Sequence, residues 1–132
     1  MVETLVSIIT PCYNGSDYIA ETIESVMAQS YSNWEMIVVD DGSKDSTASI
    51  VQNYVEKDAR IKLIRQINKG SAAARNNGIK SAKGRYIALL DSDDVWMPEF
   101  LEKQIAFMKE KNAVCVYCSY VRINNQSEPI LK

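Results

Sequence analysis

The apolar residues of this chain switch repeatedly between two periods, and that alternation decides what it can fold into. LVSIIT (5–10), WEMIVVD (34–40), IKLIR (61–65), RYIALLD (85–91) and AVCVYCSYV (113–121) are short, rich in β-branched and aromatic residues and almost continuously apolar, as strands covered on both faces are. Between them the spacing becomes helical. Ile19, Ile23, Val26 and Met27 form one stripe; Ala48, Val51, Tyr54 and Val55 a second; Ala72, Ala73, Ile79 and Ala82 a less sharp third; Leu101, Ile105 and Met108 a fourth. Start signals agree with these stripes: Asp17 as a cap with Glu21 downstream, Ser46 or Asp45 before the second helix, and Pro98 with Glu99 in the first turn of the fourth.

Strands and helices in strict alternation imply right-handed crossovers and a doubly wound α/β fold, a mostly parallel sheet with helices on both faces. With 132 residues, 46% of them hydrophobic, one domain over 1–132 can bury a core. The tail INNQSEPILK (123–132) loses the pattern.

Charge and cysteine content remove several function classes. The 15 basic and 17 acidic residues are interspersed and leave a net charge of -2, so no basic footprint exists for nucleic acid. No apolar run approaches the ~20 residues of a transmembrane segment. The opening MVETLVSIIT lacks a basic leader and carries Glu3, so a cytoplasmic protein is expected. Cys12, Cys115 and Cys118 occur with no histidine anywhere. A zinc or redox CxxC is outweighed by three reduced, structural thiols, because Cys115 and Cys118 would face opposite sides of a strand.

Ligands of such sheets bind beyond the carboxyl ends of the strands, which here read TPCYNG (10–15), DDGSKDST (40–47), QINKGSAAARNNG (66–78) and DSDD (91–94). DGS is a common turn, so Asp40 and Asp41 on their own read as structural. Asn68, Lys69 and Gly70 suit a plain loop, and Arg75 could bind an anion or pair with Asp91 or Asp93. DSDD is harder to explain as a turn. Asp91 and Asp93 would share one side of an extended segment, and their mutual repulsion calls for a compensating partner. Hard oxygen donors without imidazole or thiolate suit Mg²⁺ or Mn²⁺, which one or two carboxylates hold while substrate phosphates complete the shell.

As an ordered set, SIITPCYN (7–14), VVDDGSKDST (38–47), NKGSAAARNNGIKSAKGRYIALLDSDD (68–94) and the following WMP resemble the family 2 nucleotide-sugar glycosyltransferases of the GT-A fold. The resemblance spans nearly the whole chain. It implies a transferase of polysaccharide biosynthesis that moves a sugar from a nucleotide-diphosphate donor, a UDP-sugar being favoured. Pro11 and Tyr13 would contact the nucleotide, the tyrosine by stacking on the base; Asp41 would accept a hydrogen bond from the uracil imide. Asn68 and Arg75 would line the base and the donor phosphates, and Asp91 would contact the ribose. Asp93 of the DxD motif would hold the Mn²⁺ or Mg²⁺ ion, with Asp94 assisting through water.

The family's acceptor-binding half and its carboxylate general base have no counterpart after Val121, so no catalytic residue is identified. The chain is expected to be an incomplete domain supplying donor and metal binding. A glycan or lipid-linked acceptor would engage through the missing part, at a peripheral position on the inner membrane face, and exposed apolar surface would favour a homodimer. Two other readings compete with this one. A non-catalytic nucleotide-sugar-binding scaffold keeps the site without the transfer. A response-regulator receiver would place its acidic pair after the first strand, where PCYN stands.

Overall fold

A computed structural model describes residues 3–130; the two residues at each end of the expected 1–132 domain lie outside the described residues. The elements run β1 (Val6–Cys12), α1 (Ile19–Met27), β2 (Trp34–Asp40), α2 (Thr47–Lys57), β3 (Ile61–Arg65), α3 (Ser71–Ser81), β4 (Tyr86–Leu89) and α4 (Phe100–Lys111). The strands form one sheet in the order β3-β2-β1-β4, and every pairing is parallel. After β1 the chain moves outward to β2 and β3, then crosses back to β4, so the direction of winding reverses between β1 and β4. This is the doubly wound arrangement the sequence implied.

Residue parity along the strands sorts the core into two layers. Val6, Ile8, Met36, Val38, Ile61 and Leu90 join Ile19, Ile23 and Val26 of α1, Val51 of α2, and Leu101 and Ile105 of α4 on one face. The other face is thinner: Ile9, Ile37 and Val39 meet Ala74 of α3. Here the expected stripe is corrected. Ala72 and Ile79 are exposed, and α3 approaches through Ala74 and Gly78. A Cβ on Gly78 would lie 2.6 Å from Ile9 Cγ2 and 3.1 Å from Val39 Cγ2, so small residues allow a close approach that a search for large apolar residues overlooks. α3 packs mainly on β1 and β2, and on β4 Ile87 and Leu89 of this face stay 43% and 55% exposed.

Every residue of β1 and β2 is buried, as their unbroken apolar runs required. β1 continues past Thr10 to Cys12 despite Pro11, because it stays paired with β2 as far as Asp40. The Ile9 carbonyl accepts from Leu90 N–H at 3.1 Å and the Cys12 carbonyl from Asp41 N–H at 2.8 Å, so alternation along β1 turns the Pro11 nitrogen toward β4. β4 has already ended there, and the missing N–H costs no ladder bond.

The fifth strand expected at 113–121 is not formed. Val114, Tyr117 and Tyr120 are 98%, 96% and 79% exposed, and Cys115 and Cys118 are exposed free thiols rather than core residues, whereas Cys12 is buried. A β-prone sequence needs a paired neighbour and a covered face to become a strand, and this segment has neither among the described residues. Helix starts meet expectation only in part. α1 begins after Tyr18 without a side-chain cap from Asp17. At α2 the carboxylate of Asp45, not the hydroxyl of Ser46, accepts the Thr47 N–H at 3.0 Å, and α4 starts at Phe100, two residues after Pro98. No helix among the described residues is long and apolar enough to cross a membrane.

At the amino edge of the sheet Glu35 joins the strands. Its carboxylate accepts from Ser7 Oγ and Lys62 Nζ, both at 2.6 Å, and from Lys83 N–H at 2.7 Å, while Gly84 N–H donates to Ser7 Oγ at 2.8 Å. Burial pushes this carboxyl up, but the bonds from Lys62, Ser7 and Lys83 outweigh it and hold the group at about 2. A carboxyl depressed on folding stabilises the protein above its unfolded value near 4.5, and that contribution fades as pH falls toward 2. Replacing Glu35 by Gln should lower stability at pH 7 by about 1–3 kcal/mol. In thermal melts the gap between wild type and Glu35→Gln should shrink between pH 4.5 and pH 2.

Candidate functional site

Parallel pairing brings all four polar strand ends to one edge, and the reversal between β1 and β4 leaves a crevice there. Pro11, Cys12, Tyr13, Asp41, Ser71, Arg75, Asp91, Ser92 and Asp93 line a cleft of about 280 Å³. Pro11, Tyr13, Asp41, Arg75, Asp91 and Asp93, drawn from four separate stretches of sequence, thus meet in one place. Asn68 and Asp94 lie outside its lining.

The two acidic residues ending β2 have divided roles. Asp40 is fully buried; its Oδ1 accepts the Ser43 N–H at 3.1 Å and its Oδ2 faces Arg65 Nε at 3.3 Å, which makes it the turn residue. Asp41, 3% exposed, grips the β3–α3 loop: Oδ1 accepts from Gln66 Nε2 and Lys69 N–H, both at 2.8 Å, and Oδ2 from Gly70 N–H at 2.9 Å. Burial pushes its carboxyl up, but the Lys69, Gln66 and Gly70 donors hold it below the usual range. Gly70 carries φ +93°, so the chain can turn its N–H to Asp41 and enter α3 directly. Asn68 owes its place to this loop, its backbone nitrogen lying beside Gly42.

Tyr13 is 48% exposed at the mouth of the cleft, and its loop is laced to the one after β2. Asn14 N–H donates to Ser43 Oγ at 2.9 Å, Gly15 N–H to Thr47 Oγ1 at 2.9 Å, Ser16 N–H to Asp45 Oδ2 at 3.2 Å, and Lys44 N–H to Asn14 Oδ1 at 2.9 Å. The Thr47 hydroxyl, working against burial and aided by the Thr47 N–H and Ser16, holds the Asp45 carboxyl at about 2.

The acidic segment is a turn, not the extended run expected from its spacing: Asp94 N–H donates to the Asp91 carbonyl at 3.1 Å. Both Asp91 and Asp93 nevertheless line the cleft. Arg75 Nη2 lies 3.5 Å from Asp91 Oδ1, a long contact that leaves most of its donors free. Burial, and then the like charges of Asp93 and Asp91, push the Asp94 carboxyl above its usual range. Among the described residues no group of three or more His, Cys, Asp or Glu side chains is arranged to hold a metal. Asp93, exposed and without a hydrogen-bond partner among the described residues, fits a hard cation that takes most of its oxygens from elsewhere.

α1 holds this turn through residues that sequence reasoning passed over. Thr22 Oγ1 lies 2.9 Å from the Ser92 carbonyl and 2.7 Å from that of Asp94. Trp96 N–H donates to Ser25 Oγ at 3.2 Å, and Gln29 donates to the Met97 carbonyl at 2.8 Å while accepting the Leu101 N–H at 3.0 Å. Thr22, Ser25 and Gln29 recur at intervals of three and four beside the apolar stripe, and all three are buried. Polar residues in helical register with a core stripe were the available signal, because buried polar groups require partners.

The family model described as "Glycosyl transferase family 2" matches residues 7–131. The putative teichuronic acid biosynthesis glycosyltransferase TuaG of Bacillus subtilis (strain 168) is 46% identical over 97% of this chain and 51% of its own length. The UDP-Glc:alpha-D-GlcNAc-diphosphoundecaprenol beta-1,3-glucosyltransferase WfgD of Escherichia coli is 47% identical over 96% of this chain and 50% of its own. The chain thus spans about half the length of these curated relatives. Among solved structures, S. aureus TarS 1-349 in complex with UDP-GlcNAc superposes with a TM-score of 0.76 at 35% identity, covering 81% of this chain and 32% of that one. The mannosyltransferase PcManGT from Pyrobaculum calidifontis in complex with GDP-Man and Mn²⁺ gives 0.76 at 26% identity, covering 81% and 33%.

Thr22→Val keeps the shape of the side chain but leaves the Ser92 and Asp94 carbonyls without their donor. It should cost about 1–3 kcal/mol in denaturant unfolding, with little change in the circular dichroism of the folded state.

Proposed function

The chain belongs to glycosyl transferase family 2, and on that premise we propose that it binds the nucleoside diphosphate of a nucleotide-sugar donor in the β1/β4 cleft, for transfer of the sugar to a glycan or lipid-linked acceptor. The observation that carries this reading is the meeting of Pro11, Tyr13, Asp41, Arg75, Asp91 and Asp93 in one cleft at the sheet's switch point.

Each residue has a chemistry suited to one part of such a ligand. The exposed ring of Tyr13 offers a face to a base. Asp41 Oδ2 accepts one bond in the structure and keeps capacity for an imide N–H, as uracil presents. Asp91 can accept from ribose hydroxyls, and the free donors of Arg75 suit phosphate oxygens. Asp93 would hold Mg²⁺ or Mn²⁺, with diphosphate oxygens completing the shell. When bound, the ion supplies positive charge beside the departing diphosphate.

The UDP-GlcNAc complex of TarS and the UDP-Glc in the name of WfgD support a uridine donor. The GDP-Man and Mn²⁺ complex of PcManGT supports a divalent ion. The diphosphoundecaprenol in WfgD's name supports a lipid-linked acceptor, reached from a peripheral position at the inner membrane face. In this reading the chain supplies donor and metal binding. Family membership removes the receiver reading.

Calorimetric titration with UDP tests the site. Mn²⁺ should tighten UDP binding to the wild type, and Asp93→Asn should abolish that gain, a loss of about tenfold or more. Because Asp93 makes no contact that supports the fold, the thermal midpoint of the variant should stay unchanged. Metal-independent UDP affinity in the wild type, or no affinity for any nucleoside diphosphate, would overturn the reading.

A further inference from the structure

The sheet ends at β4, and no strand among the described residues pairs with its outer edge. Ile87 and Leu89 stay exposed on the face where α3 rests on β1 and β2. Hydrogen bonding to β1 fixes which backbone groups are left over. Leu90 N–H donates to the Ile9 carbonyl at 3.1 Å and Tyr86 N–H to the Leu5 carbonyl at 3.4 Å, so Tyr86, Ala88 and Leu90 turn their backbone toward β1. Alternation along the strand then aims the N–H and C=O groups of Ile87 and Leu89 outward. Such an edge is a template for a further strand, and Tyr86–Leu89 carries neither the charge nor the proline that ordinarily blocks one.

This edge is complementary to its own reverse. Laid antiparallel on a second β4 with Ala88 on the two-fold axis, Ile87 stands opposite the partner's Leu89, and Leu89 opposite the partner's Ile87. Both opposed pairs are then of the kind that exchanges two hydrogen bonds, so every outward group of the two residues is used. The charges just beyond the strand agree with this register, because Arg85 falls opposite the partner's Asp91. Arg85 is exposed and enters no ion pair among the described residues. The Asp91 side chain is 60% exposed, and its contact with Arg75 at 3.5 Å engages Oδ1 only. Sliding the register by two residues sets Leu89 against the partner's Arg85 in one direction and Ile87 against the partner's Asp91 in the other.

We propose that the open edge of β4 is the interface of a homodimer, in which two four-stranded sheets join through antiparallel β4 strands. Ile87 and Leu89 of both copies form an apolar strip between the two α3 helices. The occupant is a second copy rather than the strand-like 113–121 stretch of the same chain. AVCVYCSYV has no charged residue to answer Arg85 and Asp91, whereas a second β4 brings both. The contact is isologous and closes on itself, so association stops at two chains.

Sedimentation equilibrium and amide hydrogen exchange on the 132-residue chain test the interface. As concentration rises, the average mass should climb from one chain toward two. The Ile87 and Leu89 amides should gain protection in step, while the Ala88 amide, which faces β1, stays protected throughout. Arg85→Glu should weaken association roughly tenfold, since the two-fold axis turns two attractive pairs repulsive at once, and adding Asp91→Lys should restore it. Leu89→Lys should hold the chain as a monomer, its thermal midpoint at low concentration unchanged because the side chain is more than half exposed. A single-chain mass at every concentration overturns the proposal. So does association that either single variant leaves intact or that the paired charge reversal does not regain. Protection of the Ile87 and Leu89 amides in a monomer also overturns it and hands the edge to residues 113–121.

Discussion

Parallel pairing of β1 on both of its edges is the constraint from which the site follows. Because β2, β3 and β4 all run with β1, every strand delivers its terminal loop to the same rim. Because the crossovers run outward from β1 on one side and return on the other, the loops after β1 and β4 part instead of bridging. Pro11 fits this geometry. It continues β1 beside β2 at a position where no strand on the other side asks for its N–H.

The rim is then stiffened by hydrogen bonds that side chains make to backbone. Asp41 draws the β3–α3 loop in, Asp45 and Thr47 draw in the loop that carries Tyr13, and Thr22, Ser25 and Gln29 hold the segment after β4. The cleft therefore sets exposed residues such as Tyr13, Asp91 and Asp93 on a buried polar frame. That division accounts for the accumulation of like charge at residues 91–94. The repulsion is tolerated because the turn's backbone is held from behind by α1, which leaves the carboxylates free to face solvent or a cation.

Much of this was legible in the sequence. Continuous apolar runs marked β1, β2 and β3, with β2 and β3 at their observed bounds, because strands buried on both faces leave that signature. The polar strand ends named the rim, and most of the residues singled out there do meet. The failures have physical causes. The 113–121 stretch has strand composition without a partner or a cover, and composition alone does not form a ladder. α3 was read from its larger apolar residues, whereas its contact with the sheet depends on Ala74 and Gly78. Asp91 and Asp93 were placed on one side of an extended segment, but a backbone bond between Asp94 and Asp91 curls the chain. The frame residues of α1 were missed because threonine, serine and glutamine on a helix look like surface until their partners are known.

The Glu35 clasp sits at the opposite end of the strands from the cleft. Cohesion and recognition are thereby assigned to separate poles of the molecule. Drift in the loops that meet a ligand leaves the anchoring pole untouched, so a scaffold of this kind can be re-tooled for a new guest without first being rebuilt.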